Sequence, residues 1–277
     1  MSSELLKDYD LAEPTIRGLY DSRLRLAILD ALKDGPMRLA DLRRIVNANA
    51  PNASAKAKDL EDMGLLERIE GDFQITPWGN AVHAKTLELI EFYSTYAKFK
   101  EFWCKRDMGG IPTYLMTRLG ELRNSEIVLD DPTNISSVDK RFYELINSSN
   151  VFWKGIFPMY DPQWSKLAMK AVSKGVKFDL IVTQNVLNGM KKSLKREERK
   201  TALEYGGITI RLLPEEPKVA LAVTDKFFSI NLKLTGAETR FREADMLSFD
   251  PRAIQWGLDL FEYYKKRAKP MKLSEAI

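Results

Sequence analysis

The segment from Ser22 to Pro77 constrains the fold more than any other part of the chain, because it orders three helical patterns before two strand patterns. Helices are predicted at residues 22–32, 39–46 and 51–63, and strands at residues 65–69 and 72–76. Leu24, Ile28 and Leu32 recur at four-residue steps, which gives the first helix one apolar face. Asp34-Gly35-Pro36 then ends that helix with a left-handed cap and a residue that does not continue it. This order predicts a winged helix-turn-helix.

Two sequence runs carry a resemblance to a known family. The third helix leads into Gly64-Leu65-Leu66-Glu67-Arg68, and the strand pair closes on Thr76-Pro77-Trp78-Gly79. Both runs resemble the ArsR-type winged-helix pattern, in which a recognition helix runs into a Gly-Leu junction. The resemblance implies a module that places its third helix in the major groove of double-stranded DNA. The alternative is a winged helix that serves protein assembly without specific DNA binding.

The charge of this module limits how it would hold DNA. Residues 17–76 contain as many acidic as basic side chains, so the cations must be concentrated on one face to neutralise phosphates. Asn52 and Lys56 are the candidates for base edges, because amide and ammonium groups match purine acceptor patterns. The acidic tip Glu70-Gly71-Asp72 is not expected to enter a minor groove. The candidate DNA-binding residues are Arg38, Arg43, Arg44, Asn52, Ser54, Lys56 and Lys58.

Composition excludes several classes of protein. The chain has 277 residues, 30% of them charged, and lacks the run of about eighteen apolar residues that a membrane span needs. The first residues do not form a signal peptide pattern, so we expect a cytoplasmic protein of two domains. Cys104 is the single cysteine and His83 the single histidine, so neither an internal disulfide nor a clustered metal site is expected. No cofactor is expected.

Residues 80–105 lack Gly and Pro and are rich in aromatic side chains, which predicts one long connecting helix. Its apolar residues alternate at three- and four-residue steps, as in a coiled-coil seam. We expect this seam both to form a homodimer contact and to pack on the protein's own C-terminal domain, with packing on that domain alone as the alternative. The predicted interface consists of Leu89, Phe92, Tyr96, Phe99 and Trp103. The predicted domains are a winged helix (1–79), a connecting dimerisation helix (80–108) and an α/β effector or assembly domain (109–277).

Strand-like and helix-like runs alternate from Ser125 onward, which predicts an α/β sheet with helices on both faces. Strands are predicted at residues 126–130, 151–157, 176–183, 208–213, 219–223 and 227–232, and helices at residues 142–146, 162–173, 186–205 and 251–267. Gly110-Ile111-Pro112, Arg118–Leu122 and Ser248–Pro251 resemble the C-terminal domain of the archaeal methanogenesis-regulatory-protein family. The resemblance implies an archaeal transcription regulator whose second domain senses a small molecule. In element order this domain also resembles a phospholipase-D-like fold.

The residue inventory argues against catalysis in that fold. Phospholipase-D chemistry needs histidines in H-x-K-x4-D runs, and the lone His83-Ala84-Lys85 has no Asp at the required position. We therefore expect a non-catalytic domain, without catalytic residues.

Two features of the second half have two interpretations each. Aromatic residues follow the second strand, where open α/β sheets bind ligands, although core packing explains them equally well. The candidate pocket residues are Trp153, Phe157, Tyr160 and Trp164. Residues 191–200 form the most cationic stretch, which is either a solvated face or a contact for an anion or for DNA. The whole pattern predicts a homodimeric, sequence-specific and ligand-responsive transcription regulator.

Overall fold

The computed structural model describes residues 2–129, 144–145, 148–161, 168–236 and 244–277. The chain divides into two compact units, an N-terminal unit (Met1–Ile90) and a C-terminal unit (Glu91–Ile277). This division falls inside a helix, whereas the domain boundaries at residues 79 and 108 remain predictions. Within the described ranges, no helix is both long and apolar enough to cross a membrane.

The N-terminal unit consists of helices followed by a hairpin, and the three helices and two strands predicted for residues 22–76 are present in that order. Its elements are α1 (Ser2–Tyr20), α2 (Arg23–Ala31), α3 (Leu39–Ile45), α4 (Ala50–Asp62), β1 (Leu66–Ile69), β2 (Asp72–Ile75) and the first part of α5 (Pro77–Lys98). Glu70 and Gly71 make the tight turn between the strands, with φ angles of 52° and 91°. The sequence patterns do not indicate α1, because Pro14 and mixed charges interrupt its apolar spacing.

Caps and a single apolar core fix the three helices. Ser22 caps α2 and Asn49 caps α4, each with a side-chain oxygen that accepts a backbone N–H of the first turn. Met37 and Phe73 exchange two backbone hydrogen bonds of 3.0 and 2.9 Å, which tie the segment before α3 to the hairpin. The core side chains include Ile28, Leu29, Leu32, Leu42, Ala57, Leu60, Leu65, Phe73 and Ile75.

The start of α5 explains the Thr-Pro-Trp-Gly run in physical terms. The Thr76 hydroxyl accepts the N–H of Gly79 at 2.9 Å and donates to the carbonyl oxygen of Gly64 at 2.8 Å. A Cβ atom on Gly79 would lie 2.1 Å from the carbonyl oxygen of Leu65, so only glycine fits there. The junction after α4 and the start of α5 are therefore joined through one hydroxyl group.

The C-terminal unit is built on a mixed sheet with helices packed on it. Its strands are β3 (Glu126–Leu129), β4 (Phe152–Phe157), β5 (Lys177–Val182), β6 (Ile208–Leu212), β7 (Val219–Thr224), β8 (Phe228–Leu232), β9 (Ala244–Ser248) and β10 (Lys269–Met271). Its helices are α6 (Lys100–Cys104), α7 (Thr113–Met116), α8 (Gln184–Ser193), α9 (Arg196–Tyr205), α10 (Pro251–Lys265) and α11 (Leu273–Ala276), and residues 168–172 are also helical.

The described strands of the C-terminal unit form one sheet in the order β10-β6-β5-β4-β7-β8-β9-β3. Strand β5 is parallel to both of its neighbours, β4 and β6, and the other neighbouring pairs are antiparallel. Side chains alternate between its two faces, so Ile156 joins one apolar core and its neighbour Phe157 joins the other. Trp256 and Phe261 of α10 pack in the first core. The sheet predicted for this half is present and has an apolar core on each face, and β9 and β10 are additions that the sequence patterns do not indicate.

Two long predicted helices are each broken in the structure. The helix predicted over residues 80–105 ends at Lys98, because Phe99 leaves the helical conformation with φ −113° and ψ 21° before α6 begins. The helix predicted over residues 186–205 is split into α8 and α9, because Leu194 and Lys195 have extended backbones. Of the helices predicted over residues 142–146 and 162–173, residues 144–145 and 168–172 are helical, and residues 142, 143, 146 and 162–167 lie outside the described residues.

A buried carboxylate holds the second part of α5 in the C-terminal unit. The side chain of Glu91 is only 8% exposed and receives hydrogen bonds from the guanidinium groups of Arg123 and Arg252, the latter at 2.6 Å. Gly120 allows this close packing, because a Cβ atom there would lie 3.0 Å from the backbone nitrogen of Phe92. Both charge pairing and backbone contact thus fix α5 after residue 90.

Candidate functional site

Helix α4 presents a polar surface on one side and small apolar residues on the other. Ala53, Ala57 and Leu60 are fully buried, as predicted, and they bring α4 close to its neighbours. The opposite side contains the candidate groups for base and phosphate contacts. Asn52 and Lys58 are exposed, and Ser54 and Lys56 are half-buried.

An internal carboxylate organises the cations at this surface. Asp59 accepts a hydrogen bond from Lys56 at 3.1 Å and two from Arg25, at 2.5 and 3.1 Å. The hydrogen bonds from Arg25 and from Lys56 hold the pKa of Asp59 below its usual value, so this carboxylate stays ionised at neutral pH. The ammonium group of Lys56 is therefore paired with Asp59, three residues along the helix. A DNA phosphate or base that contacts Lys56 would have to compete with this carboxylate.

The candidate arginines before and within α3 are all exposed, but two of them already have carboxylate partners. Arg44 pairs with Asp41 at 2.9 Å, and Arg38 approaches Asp72 of the hairpin at 3.6 Å. Arg43 is the third candidate arginine, and its side chain is exposed. The basic residues of this surface are thus partly neutralised from within, in agreement with the balanced charge of the segment.

The predicted dimer seam is divided by the break at Phe99. Phe99 and Trp103 are 4% and 5% exposed and pack in the core of the C-terminal unit, so we correct the prediction that they contact a partner. Phe92 is half-buried against the same core. Leu89 and Tyr96 are exposed, at 40% and 43%.

Helix α5 exposes further apolar side chains that were not included in the predicted interface. Tyr93 is 61% exposed and lies four residues after Leu89 and three before Tyr96, which places the three on one face of the helix. Ile90 borders that face and is 42% exposed. The exposed surface called the α5 face consists of Leu89, Ile90, Tyr93 and Tyr96.

Three of the four predicted pocket aromatics lie together. Trp153, Phe157 and Tyr160 line a cavity of about 50 Å³ with an almost wholly apolar lining. Trp164 lies outside the described residues. The sequence patterns missed the other side of the cavity, because its residues lie on β5, α8 and residues 168–172 and meet the aromatics only through the fold. These residues are Ala168, Leu180, Val182, Val186 and Met190.

Trp153, which lines the cavity, has a polar group without a partner among the described residues. Its side chain is 2% exposed, and its indole N–H has no hydrogen-bond acceptor within the described ranges. A buried donor left unsatisfied costs about 1–3 kcal/mol, so this position favours a molecule that brings an acceptor. Trp153 also packs edge-on against Phe157, with ring centroids 5.8 Å apart, which fixes the orientation of its ring.

The single histidine and the single cysteine lie in different surroundings. His83 is hydrogen-bonded to Asp30 at 3.1 Å, and Cys104 is exposed and unpaired. Within the described residues, no three His, Cys, Asp or Glu side chains are grouped so that they could hold a metal ion.

Sequence comparison identifies the relatives of the chain. Residues 13–94 match the family model for the N-terminal domain of methanogenesis regulatory protein FilR1, and residues 135–267 match the model for its middle domain. Methanogenesis regulatory protein FilR1 of Methanothrix harundinacea (strain 6Ac) is 27% identical over 254 residues, which cover 90% of this chain and 56% of that protein. The chain thus spans about half the length of the curated relative it matches. The segment expected to resemble a C-terminal domain matches a middle domain instead.

Structural comparison gives only distant similarities. TrmBL2, an archaeal chromatin protein described with a novel mode of DNA binding, matches 88% of this chain and 91% of its own at 16% identity and a TM-score of 0.44. NucT from Helicobacter pylori matches 53% of this chain and 98% of its own at 12% identity and a TM-score of 0.39. Such low TM-scores do not establish a shared fold, and the phospholipase-D-like arrangement remains a prediction.

The cavity gives a test of packing that does not depend on any ligand. Val182 lines the cavity, so Val182→Ile adds a methylene where space exists and should raise the free energy of unfolding by up to about 0.8 kcal/mol. Val219 is fully buried in the other core, so Val219→Ile should lower it by about 1–3 kcal/mol through overpacking. Urea unfolding followed by circular dichroism measures both. Equal destabilisation by the two substitutions would show that the cavity is closed in solution.

Proposed function

This chain belongs to the family of methanogenesis regulatory protein FilR1, and from that premise we propose that it is a sequence-specific, DNA-binding regulator of transcription. The observation that carries the proposal is the polar side of α4. That helix follows α2 and α3 in the order of a winged helix-turn-helix, and β1 and β2 are its wing. Small alanines on the buried side of α4 leave Asn52, Lys56 and Lys58 on the outer side.

In the proposed complex, α4 lies in the major groove and α3 crosses the phosphate backbone. Asn52 stands in the first turn of α4, where the side chains of a recognition helix reach base edges. Arg43 and Arg44, in the last turn of α3, contact phosphates. The wing tip contains Glu70 and Asp72, so it stays away from the phosphates.

Removing either candidate base contact should weaken binding to a genomic duplex that the parent chain recognises. Lys56→Ala and Asn52→Ala should each cost about 1–3 kcal/mol of binding free energy, because each removes a contact to a base edge. Lys33→Ala is the matched control, since Lys33 is an exposed lysine of the same unit that already pairs with Asp30. Fluorescence anisotropy with the duplex measures all three, and circular dichroism checks that they fold.

Two outcomes would contradict the assignment. If both variants bind as tightly as the parent, α4 is not the helix that reads the bases. If the parent binds every duplex equally weakly and without dependence on salt, the N-terminal unit is a protein-interaction module, because contacts to phosphates release counterions.

We also propose that the chain acts as a homodimer through the α5 face. Four apolar side chains exposed on consecutive turns of one helix are removed from water when a second copy covers them. A two-fold dimer would present two copies of α4 to successive major grooves, about 34 Å apart on one side of the duplex.

A charge in the α5 face should separate the two protomers. Tyr96→Glu places a carboxylate where a partner would bury it, and an unpaired charge is costly to bury. Light scattering should then give the mass of one chain, 31.8 kDa, for the variant and twice that mass for the parent. Ser173→Glu introduces the same charge at an exposed position outside α5, so it is the control and should remain dimeric. A monomeric parent would remove the proposal.

We further propose that the cavity beside Trp153 binds a small, mostly apolar effector that has one hydrogen-bond acceptor. The supporting observations are the apolar lining and the indole N–H of Trp153, which has no acceptor among the residues that the structure describes. An effector changes DNA affinity only if it prefers one of two arrangements of the dimer. Helix α5 contributes residues to both units, so a change in its angle is the proposed difference between those arrangements.

Native mass spectrometry of the gently purified chain should show an added small molecule. Trp153→Phe keeps an aromatic ring but removes the N–H, so the occupied fraction should fall several-fold for the loss of a hydrogen bond worth about 1 kcal/mol. Trp78→Phe, at a 65% exposed position, should keep the full occupancy. Removing the molecule should change DNA affinity by about 1–3 kcal/mol. A parent that contains no added mass, or whose DNA affinity does not change when the mass is removed, would contradict the effector proposal.

A further inference from the structure

A cationic stretch of the chain lies between α8 and α9. Residues 191–200 contain six basic and two acidic side chains, a surplus of four positive charges. Another cationic stretch, residues 265–272, contains five basic and no acidic side chains. A local surplus of one sign on a surface favours a partner of the opposite charge, such as a polyanion.

The structure places this stretch at a fixed corner between α8 and α9. The guanidinium group of Arg199 donates hydrogen bonds to the carbonyl oxygens of Leu194, at 3.1 Å, and of Lys191. Arg199 therefore stabilises the bend between the two helices, and its guanidinium group is engaged in these hydrogen bonds. The exposed cations around it, called the cationic corner, are Lys191, Lys192, Lys195, Arg196 and Lys200.

The carboxylates of the stretch leave these cations largely uncompensated. Glu198 accepts the backbone N–H of Lys195 at 2.8 Å, which commits it to the start of α9. Lys200 approaches Glu204 at 3.8 Å, and both side chains are mostly exposed. Across the described ranges, the other four cations of the corner make no ion pair. The N-terminus of α9 adds its own partial positive charge at the same place.

Some other cations of the C-terminal unit are neutralised from within. In residues 265–272, Lys265 pairs with Glu262 at 3.1 Å and Lys272 approaches Glu275 at 4.0 Å. Arg118 pairs with Glu121 and Asp259, at 2.8 and 2.7 Å, and Arg211 pairs with Asp179 at 2.8 Å, and these two arginines are half-buried. The cations of the corner other than Lys200 make no such pair within the described residues, so their charges are available to an external anion.

We propose that the cationic corner is a second DNA-binding surface, which contacts phosphates outside the bases that α4 reads. The inference rests on the proposed DNA-binding function. The surface of α4 and α3 is balanced in charge, and its cations Lys56, Arg44 and Arg38 already have carboxylate partners. Tight binding to a duplex depends on neutralised phosphates, which this surface supplies poorly. The cationic corner provides the missing positive charges through contacts to phosphates, which do not depend on the base sequence.

The test measures how the affinity of the full chain for its duplex depends on salt. The variant Lys191→Gln/Lys192→Gln/Lys195→Gln removes three charges and no buried side chain. The matched control Lys105→Gln/Lys177→Gln/Lys226→Gln removes three exposed lysines from the same unit, outside both the corner and residues 265–272. For B-form DNA, the slope of log K against log salt changes by about 0.9 for each phosphate that the protein no longer neutralises. The slope of the corner variant should therefore be smaller by about 2.7 per protomer, whereas the control should keep the slope of the parent.

The outcomes separate this inference from the function on which it rests. A parent that binds its duplex, together with a corner variant that keeps the parental slope, would overturn the second surface and leave the role of α4 intact. A parent that binds no duplex would overturn both. A smaller slope for the corner variant, with unchanged preference among duplex sequences, is the result that the proposal predicts.

Discussion

The pairing of Glu91 with Arg123 and Arg252 is the constraint on which the described architecture depends most. A carboxylate at this depth is costly to bury unless its charge is matched, and here two guanidinium groups from distant parts of the chain match it. One arginine follows the turn at Gly120 and the other lies in the first turn of α10. These two interactions therefore hold the second part of α5, that turn and α10 together. The first part of α5 packs instead in the N-terminal unit, where Tyr20 donates to Thr86.

Local signals in the sequence were sufficient for the N-terminal unit after α1. The caps at Ser22 and Asn49 act over a few residues, so the sequence displays them directly, whereas glycine is required at position 79 by the more distant backbone of Leu65. The breaks at Phe99 and at Leu194 were not visible in the same way. Phe99 continues the apolar spacing of α5, but it leaves the helix because it packs in the core of the C-terminal unit.

For the candidate sites too, the sequence did not show the contacts between residues that are distant along the chain. Sequence periodicity identified the polar side of α4, but not that Asp59 holds both Lys56 and the distant Arg25. Three of the predicted aromatic residues, two in β4 and one after it, do line a cavity, yet Val182 and Met190 complete it from elements that only the folded sheet brings near. Residue types and their spacing thus indicate which chemistry is present. The fold decides which charges remain free and which side chains share a space.

Footprinting on a genomic duplex tests the central claim, that a dimer of this chain reads DNA through α4, most directly. Hydroxyl-radical cleavage should show two protected half-sites whose centres lie about 10 base pairs apart, as two recognition helices in successive major grooves require. The half-sites should have related sequences, because a two-fold dimer reads both with the same side chains. Protection that is spread evenly along every duplex, or no protection at concentrations where the chain is dimeric, would contradict the claim.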